Sequence, residues 1–599
     1  MTYRPRVIVL AFLACASWST GAVEREYREV PDDPPATSRA VDNLSARSPG
    51  ARVVEGPYVS VQANIDALGM NIVGDAANEP SIAVSPVNPD NVVIGWRQFD
   101  SVTSNFRQGG WAHSEDGGET WTFPGVLEPG VFRSDPVLDS ASDGVFVYQS
   151  LEENLLADVF RSVNGGESWV DPVFEYGGDK NWMAVDKSGG TGDGHIYGTW
   201  QRFSGCCGQR TFTRSIDEGD SFEQPVAVEL RPLFGTMAVG PEGELYIAGI
   251  EGTVTQDFDQ FVIARSDDAQ NPAVPPTFRG IRVDLGGSMV FEGAPNPVGL
   301  LGQAYVAVDR SSGPTRGNVY MLASVDPPGP DPLDVHLIRS FDHGETWSAP
   351  LRVNDDPLDN GAWQWFGAHS VAPNGRVDVI WNDTRGSGQA TTSQLFYSYS
   401  WDAGETWSPN VAASPSFRSN IGFPNQNKIG DYYTIISNAS RADVAYSATF
   451  NGEQDVYHVR VFPDCNGNTV SDVDDIAGGD SQDSNGNHIP DECEAPVLAQ
   501  PRPAVAGQAN LFVVTGATPN ENVSFLLGFA PGTSPVPGCP DATVTIQNPR
   551  NLGSQTADAE GTARLRHGIP PDFAGRTVLF QAVERSTCRV SNRVATNFQ

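Results

Sequence analysis

The stretch Ser114-Glu115-Asp116-Gly117-Gly118-Glu119-Thr120-Trp121 decides the fold, because its pattern returns along the chain. The pattern is serine, any residue, aspartate, any residue, glycine, any residue, threonine or serine, and then an aromatic residue. Further copies begin at Ser162, with asparagine in the aspartate position, and at Ser215, Ser340 and Ser400, and a degenerate copy begins at Ser266. Repeats spaced by roughly 50 to 70 residues are typical of supersecondary units that stack to bury an apolar face.

The chemistry of each copy is that of a tight turn between two antiparallel strands. Asp116 can accept hydrogen bonds from backbone N–H groups within the turn, and Gly117 and Gly118 can adopt positive φ angles. Trp121 can then begin the next strand by packing beneath the turn. All of these roles concern local folding, so we expect no catalytic residue inside the repeated pattern.

The pattern resembles the Asp box, or BNR repeat, of the sialidase-like β-propeller superfamily, over roughly residues 70 to 463. The resemblance implies a ring of four-stranded blades with the boxes on the periphery, away from the active site. Composition agrees with an all-β chain, because 62 glycines and 45 prolines in 599 residues indicate many turns. The formal net charge of −36 disfavours nucleic acid and anionic membrane surfaces as partners.

Seven segments pair one apolar run with a second across a small turn, from Pro80–Val84 with Val92–Trp96 to Tyr433–Ile436 with Val444–Tyr446. Seven such openings and six boxes predict a seven-bladed β-propeller over residues 51–463, with a six-bladed ring and an extra hairpin as the alternative. The last repeat ends without a fourth strand. We expect a strand from within Val53–Ile65 to complete it, which would remove an open sheet edge.

The first 22 residues are typical of a secretion signal, with Arg4 and Arg6 before the apolar run Val7–Ala16. Residues 23–50 would follow as a flexible segment. No later run in the sequence is apolar enough to span a membrane. We therefore expect the protein to be secreted or attached to the cell surface. Six cysteines remain after cleavage. In an exported chain they predict three disulfides, which pair Cys465 with Cys493, Cys539 with Cys588, and the adjacent Cys206 with Cys207.

Residues 464–495 carry two loops rich in oxygen ligands, which favour Ca²⁺ over a transition metal. The predicted ligands of the first loop are Asp464, Asn466, Asn468, Val470, Asp472 and Asp475. Those of the second loop are Asp483, Asn485, Asn487, Ile489, Asp491 and Glu494. Aspartate and asparagine turns without metal are the alternative interpretation.

In both loops glycine stands at position 4 instead of position 6, which departs from the EF-hand pattern. The loops resemble the duplicated calcium loops of dockerin-like and thrombospondin type 3-like repeats. The resemblance to dockerins implies a cohesin-like partner, whereas a calcium-stiffened linker fits the scarcity of helical sequence better. Residues 496–599 alternate apolar strands with Gly, Pro and Asn turns, which predicts a C-terminal β-sandwich of immunoglobulin-like size.

Function is then expected at the mouth of the propeller funnel, where the loops that enter the first strand and those that leave the second strand of each blade converge. The resemblance to sialidases implies three arginines for a substrate carboxylate, an aspartate as acid and base, and a tyrosine activated by a glutamate. The candidates for substrate binding are Arg97, Arg133, Arg385, Trp182 and Arg202, and those for catalysis are Tyr432, Glu453 and Asp135. Asp100 is an alternative acid.

The sequence departs from the family at its first arginine motif, since Phe132-Arg133-Ser134-Asp135-Pro136 matches it only in part. Two hypotheses of different class therefore stand. The protein is either a secreted, sialidase-like glycoside hydrolase that acts on the end of a chain bearing sialic acid or another acidic sugar, or a non-catalytic glycan-binding, adhesion or scaffold propeller. The two differ in whether the arginines meet at one point beside a tyrosine and a glutamate.

Overall fold

The structure, a computed structural model, describes residue 33 and residues 48–201, 205–253, 258–483, 486, 489–491, 493, 495–559 and 561–599. The signal peptide predicted at residues 1–22 lies outside these residues. The described chain forms 43 β-strands, one α-helix and one 3-10 turn, Pro571–Phe573. The predicted all-β class is confirmed. Among the described residues, no helix has the length and apolar character needed to cross a membrane.

The strands of residues 48–463 fall mainly into antiparallel sheets that follow one another along the chain. Sheet I contains β3 (Ala76–Val84), β4 (Val92–Phe99), β5 (Gln108–Ser114) and β6 (Thr122–Val126). Sheet II contains β7 (Ser134–Ser140), β8 (Phe146–Leu151), β9 (Ala157–Ser162) and β10 (Val173–Tyr176). Sheet III contains β11 (Trp182–Val185), β12 (Ile196–Thr199), β13 (Arg210–Ser215) and β14 (Val226–Ala227).

The next sheets keep this plan with small additions. Sheet IV contains β15 (Pro232–Leu233), β16 (Met237–Val239), β17 (Leu245–Glu251), β18 (Phe261–Ser266) and β19 (Arg279–Val283). A separate hairpin, β20 (Phe291–Gly293) and β21 (Asn296–Leu300), precedes sheet V, which contains β22 (Tyr305–Val308), β23 (Val319–Val325), β24 (Asp334–Ser340) and β25 (Leu351–Arg352). Sheet VI contains β26 (Gln364–Val371), β27 (Val377–Asp383), β28 (Thr392–Ser400), β29 (Val411–Ala412) and β30 (Phe417–Arg418).

Sheet VII joins the two ends of this region, because it combines N-terminal and C-terminal strands. It contains β1 (Arg52–Glu55), β2 (Tyr58–Gln62), β31 (Thr434–Ser437), β32 (Ala442–Ala448) and β33 (Asp455–Val461). Strand β2 pairs antiparallel with β33, with Ser60 opposite Val459. The prediction that an N-terminal strand completes the last repeat is confirmed. The Ser60 hydroxyl also lies 2.6 Å from the Tyr446 hydroxyl.

The innermost strands of the sheets form a closed ring. Each inner strand contacts the inner strand of the next sheet, in the order β3, β7, β11, β16, β22, β26 and β31, and β31 contacts β3 again. In the described residues the sheets of this propeller-like ring number seven. Between them pack large apolar side chains with almost no exposure, such as Trp96, Trp365 and Trp381. The ring therefore surrounds a central channel lined by the inner strands.

The repeated turn joins the third and fourth strands of a sheet, far from the inner strands. In the copy at Ser340, the Asp342 carboxylate accepts hydrogen bonds from the Thr346 amide at 2.8 Å, the Thr346 hydroxyl at 2.6 Å and the Ser340 hydroxyl at 2.8 Å. The copy at Ser266 contains an insertion, and Asp268 accepts the same bonds from Thr277. These groups satisfy one another, which supports the structural role predicted for the repeat.

Beyond the ring, the chain forms one short helix and a second set of sheets. Helix α1 spans Asp472–Gly478, and the Ser471 side chain caps its N-terminus. One sheet contains β34 (Val497–Leu498), β35 (Ala509–Thr515) and β40 (Ala563–Gly568). The other contains β36 (Asn522–Gly528), β39 (Arg550–Thr556), β41 (Thr577–Glu584), β42 (Arg589–Val590) and β43 (Val594–Asn597), and β37 (Pro531–Val536) pairs with β38 (Cys539–Ile546).

Apolar residues of both C-terminal sheets share one core, in which Phe512 packs against Phe525 and Phe580. A two-sheet core is what the predicted sandwich requires. Three disulfides are present, Cys206–Cys207, Cys465–Cys493 and Cys539–Cys588. All three predicted pairings are confirmed.

Candidate functional site

Two inner strands carry an acidic residue in a bulge at the end of the ring where the inner strands begin, which we call the mouth. The pairing of β3 with β4 shifts between Asn78 and Ser81, and that of β7 with β8 shifts between Ser134 and Val137. Within these bulges Glu79 has a φ of 51° and Asp135 a φ of 44°. The left-handed backbone region is costly for residues other than glycine, and such conformations concentrate at functional sites.

Glu79 and Asp135 belong to a buried charged network that also contains Arg97, Lys180, Lys428 and Asp431. The Glu79 carboxylate lies 3.2 Å from the Arg97 guanidinium and 3.3 Å from the Lys428 ammonium. Asp431 pairs with Lys428 at 2.7 Å and with Lys180, whose ammonium also lies 3.8 Å from Asp135. Three cations and three carboxylates thus neutralise one another at the mouth.

The pKa directions in this network follow from burial and the three cations. Burial acts to raise the pKa of Asp431, but Lys180, Lys428 and Arg97 outweigh it and hold that pKa well below its usual range. In the same way, Lys180 and Arg97 outweigh burial at Asp135 and lower its pKa. At Glu79, burial prevails over Arg97 and Lys428 and raises the pKa. Asp135 is consequently a poor proton donor at neutral pH, because it stays ionised.

Tyr432, the predicted nucleophile, lies fully buried beneath this network. Its hydroxyl donates a hydrogen bond to the Pro136 carbonyl at 2.8 Å, and its ring packs edge-on against Trp182 with centroids 5.4 Å apart. Burial raises its pKa well above the usual range, and the nearby carboxylates Glu79 and Asp135 raise it further. A phenol in these surroundings is held neutral, which disfavours nucleophilic attack.

Glu453, the predicted partner of Tyr432, makes its contacts elsewhere. Its carboxylate accepts hydrogen bonds from the Gly74 amide at 2.6 Å and from the Asn71 side chain at 3.0 Å. The carboxylates that raise the pKa of Tyr432 are instead Glu79 and Asp135. The sequence offered one signal for Glu79, since Glu79-Pro80 repeats the acid–proline pair Asp135-Pro136 at the same point of the next sheet.

The predicted arginines are held in separate groups of ion pairs. Arg133 pairs with Asp158 of β9 at 2.9 Å and with Glu128 of the loop between β6 and β7. Arg385 pairs with Asp383 at 2.9 Å and with Asp356 at 3.3 Å, and its guanidinium stacks on the Phe396 ring. The described contacts therefore do not bring Arg97, Arg133 and Arg385 to one point. Arg202 lies outside the described residues, and Asp100 accepts a hydrogen bond from Gln108 at 3.1 Å.

The hairpin β20–β21 covers part of the mouth, which sequence reasoning did not anticipate. The Asn296 side chain donates to the Gly430 carbonyl at 2.8 Å and accepts from the Ile429 amide at 3.1 Å. The Leu300 amide donates to the Asp431 carboxylate at 2.9 Å. The hairpin, which is inserted between sheets IV and V, thereby holds the segment that carries Tyr432 in place.

Below the mouth, a cavity of about 230 Å³ occupies the channel. Trp182 and Tyr305 line it at the mouth end, and their rings pack edge-on with centroids 5.9 Å apart. Lys187 and Arg310 line it at the opposite end, where the inner strands finish. The channel therefore presents aromatic side chains at one end and cationic side chains at the other.

The first predicted calcium loop is ordered around Asp475, which is 1% exposed. One carboxylate oxygen of Asp475 accepts hydrogen bonds from the Asn466 and Asn468 side chains, at 3.1 and 2.8 Å. The other oxygen is buried and has no hydrogen-bond partner among the described residues. Asp464 accepts from the amides of Asn468 and Thr469 at 3.0 and 2.8 Å. The side chains of this loop offer carboxylate and amide oxygens, a donor set that fits Ca²⁺.

The remaining predicted ligands are placed unevenly. Asp472 is fully buried and accepts a hydrogen bond from the Cys465 amide at 2.9 Å, and Val470 is 42% exposed. In the second loop, Asp483 accepts from the Gly486 amide at 2.7 Å and Asp491 is buried. Ile489 is described, whereas Asn485, Asn487 and Glu494 lie outside the described residues.

No protein-family model and no curated protein matches this chain. Solved structures match at low identity. A protein of unknown function from Dyadobacter fermentans is 16% identical over 69% of this chain and 99% of its own, with a TM-score of 0.39. A fungal alcohol oxidase of the AA5 family, in complex with copper, is 10% identical over 92% of this chain and 100% of its own, with a TM-score of 0.41.

Sialidases are also among the similar structures. The Trypanosoma rangeli sialidase in complex with 2,3-difluorosialic acid is 11% identical over 89% of this chain and 88% of its own, with a TM-score of 0.37. At these identities and scores the likeness concerns the fold alone and carries no argument about activity.

Proposed function

We propose that this protein is an exported carbohydrate-binding propeller that does not hydrolyse sialosides. The observation that carries the proposal is the separation of the two predicted catalytic side chains. Tyr432 donates its hydroxyl proton to the Pro136 carbonyl, and Glu453 is bonded to Gly74 and Asn71. A tyrosine nucleophile needs a base within hydrogen-bond reach and access to the anomeric carbon.

The arginines support the same conclusion. A carboxylate-binding cluster requires guanidinium forks that converge on one point with donors left for the ligand. Arg133 and Arg385 each neutralise at least two carboxylates of their own surroundings. Freeing either one would leave buried carboxylates unpaired, which is costly.

The chemistry of the channel supports a sugar as the ligand. Aromatic faces pack against the apolar faces of sugar rings, and cations with hydroxyl donors suit acidic, hydroxylated ligands. The channel offers Trp182 and Tyr305 near one end and Lys187 with Arg310 at the other. Export is proposed from the predicted signal peptide, and the three disulfides support an oxidising compartment.

Two assays on the full-length secreted protein test this proposal. We expect no sialic acid release from a fluorogenic sialoside above the level of Tyr432→Phe and Arg385→Ala variants, together with binding to acidic glycans on a glycan array. Turnover by the wild type that both variants abolish would establish the hydrolase instead. An absence of both turnover and glycan binding would overturn the carbohydrate assignment.

For residues 464–495 we propose a linker stiffened by Ca²⁺. Asp464, Asn466, Asn468 and Asp475 would hold the ion in the first loop, with Asp472 beside them, and the orphaned oxygen of Asp475 supports this assignment. Helix α1 is the one α-helix of the described residues and spans only Asp472–Gly478. So little helix favours a linker over a module that docks to a cohesin-like partner.

A further inference from the structure

A second cavity, of about 700 Å³, opens at the end of the channel opposite the mouth. The turns between the first and second strands of the sheets surround it, and it shares Arg310, Lys187 and Asp139 with the channel cavity. Its volume lies in the range of small-molecule sites in proteins.

The charge of this cavity is opposite to that of the whole chain. Three cationic side chains, Lys187, Arg310 and Arg316, line it with one carboxylate, Asp139. The chain as a whole has 74 acidic and 38 basic residues. Lys187 pairs with Asp139, and Arg316 pairs with Glu242 at 3.2 Å, so these two cations already have carboxylate partners.

Arg310 is different, because the described residues place no carboxylate within ion-pair distance of its guanidinium. It donates a hydrogen bond to the Lys187 carbonyl and is half-buried at the cavity wall. Burial, with Arg316 nearby, lowers its pKa although Asp139, Asp186 and Asp193 act to raise it. A guanidinium withdrawn from water without a carboxylate partner favours an anion brought by a ligand.

The rest of the wall suits a hydroxylated ligand. Ser140, Ser188 and Ser370 line the cavity, and the Ser437 hydroxyl is buried there without a hydrogen-bond partner in the described residues. Proline and aliphatic side chains such as Pro373 and Val371 provide apolar surface between these hydroxyls. This combination matches a ring that carries hydroxyl groups on its edge and a single carboxylate.

We propose that the cavity opposite the mouth binds an acidic sugar, whose carboxylate pairs with Arg310 and whose hydroxyls meet the seryl side chains. The inference rests on the proposed function for the class of ligand, and it adds the face of the ring that binds it. The carboxylate can come from a free sugar acid or from the acidic end of a glycan chain.

Isothermal titration of the full-length protein with glucuronate and with glucose tests the site, because the two sugars differ by the carboxylate. We expect glucuronate to bind and glucose to bind at least tenfold more weakly. Arg310→Met should weaken glucuronate binding at least tenfold, because it removes the charge-assisted hydrogen bonds to the carboxylate. Ser188→Trp, at the cavity rim, should block both sugars without removing a charge.

Arg282→Met is the matched control, because Arg282 is an exposed arginine of β19 that pairs with Glu251. It should leave glucuronate binding unchanged. Equal binding of both sugars, no binding of glucuronate, or binding that survives Arg310→Met and Ser188→Trp would overturn the inference. Glycan-array binding that persists in Arg310→Met and Ser188→Trp would overturn this binding site but would still agree with the proposed function. Glucuronate binding that depends on Arg310 without any array signal would support the site, with a free sugar acid as its ligand, and would overturn only the predicted binding to glycan chains.

Discussion

The Tyr432 hydroxyl and the Pro136 carbonyl, 2.8 Å apart, join sheet VII to sheet II across the mouth of the ring. The two residues are separated by 296 positions in sequence, and sheet I lies between their sheets. The side chain that the sequence assigns to catalysis thus forms a tie between distant parts of the ring. Such a bond acts on stability and is formed only when the ring has closed.

Replacement of Tyr432 by phenylalanine should therefore destabilise the ring without affecting any reaction. The Pro136 carbonyl would lose a buried donor, which costs about 1 kcal/mol in the free energy of unfolding. Denaturant unfolding followed by tryptophan fluorescence measures the loss. Tyr457→Phe is the matched control, since Tyr457 is fully buried and the described residues give its hydroxyl no hydrogen-bond partner. Equal losses of unfolding free energy in Tyr432→Phe and Tyr457→Phe would refute a stabilising role of the Tyr432–Pro136 hydrogen bond.

Removal of the N-terminal strands should open the ring at sheet VII. Deletion of residues 1–63 removes β1 and β2 and exposes the backbone edge of β33, which can then pair with another chain. We expect dimers or larger species by size-exclusion chromatography with light scattering, and a lower melting temperature. Deletion of residues 1–47 keeps both strands and should leave a monomer-sized elution and the melting temperature unchanged. If the protein that lacks residues 1–63 behaved like this control, the result would argue against closure of the ring by the pairing of β2 with β33.

The turns and the mouth show what the sequence could predict. Every partner of Asp342 in its turn lies within four residues, so the turn is encoded locally and could be predicted from the repeat. The contacts of Tyr432, Glu79 and Lys180 depend on which sheets become neighbours in the closed ring. The hairpin β20–β21 has no repeat pattern of its own, so its position over Asp431 could not be predicted either.

The turn at Asp342 should stabilise the protein in a pH-dependent manner. The hydrogen bonds from the Thr346 side chain, the Thr346 amide and Ser340 lower the pKa of Asp342 to about 2, from 3.8. A lowered carboxyl pKa contributes stability above pH 3.8 that is lost as the pH falls through 2.

In Asp342→Asn the turn is retained, because Asn164 occupies the same position in the copy at Ser162 and accepts from the Ser168 amide at 3.2 Å. The variant should be less stable than wild type at pH 6, by less than about 1 kcal/mol because the turn is exposed. Thermal melts between pH 2 and 6 should show the difference shrink toward the acid end. A difference in stability between the two proteins that does not change with pH would exclude stabilisation by the ionised Asp342 carboxylate.

Glu175 should have the opposite pH dependence. It is fully buried on β10, where burial raises its pKa from 4.5 to about 8 although it accepts a hydrogen bond from Gln149 at 2.6 Å. The folded protein therefore holds a proton that the unfolded chain releases above pH 4.5, so stability falls as the pH rises from 4.5 to 8. Glu175→Gln removes this loss. Its advantage over wild type should grow to a few kcal/mol by pH 8, and an advantage that is equal at pH 5 and pH 8 would contradict the prediction.

Calcium should stabilise the linker through Asp475. Near neutral pH, added Ca²⁺ should raise the melting temperature of the protein prepared with chelator, because an ion bound only by the folded loop favours folding. Asp475→Asn should abolish the first loop's share of this shift, since it removes the buried carboxylate whose second oxygen is left for the ion. Differential scanning calorimetry follows the shift, and equilibrium dialysis counts the bound ions.

The matched control for Asp475 is Asp480→Asn, which removes the same charge from an exposed position just after helix α1. It should preserve both the calcium-dependent shift and the number of bound ions. An effect of ionic strength on the net charge of the chain would be nearly the same in the two variants, because each lacks one of its negative charges. A shift in wild type and Asp480→Asn that disappears in Asp475→Asn therefore identifies a bound ion, whereas identical melts with and without Ca²⁺ would leave the loops as metal-free turns.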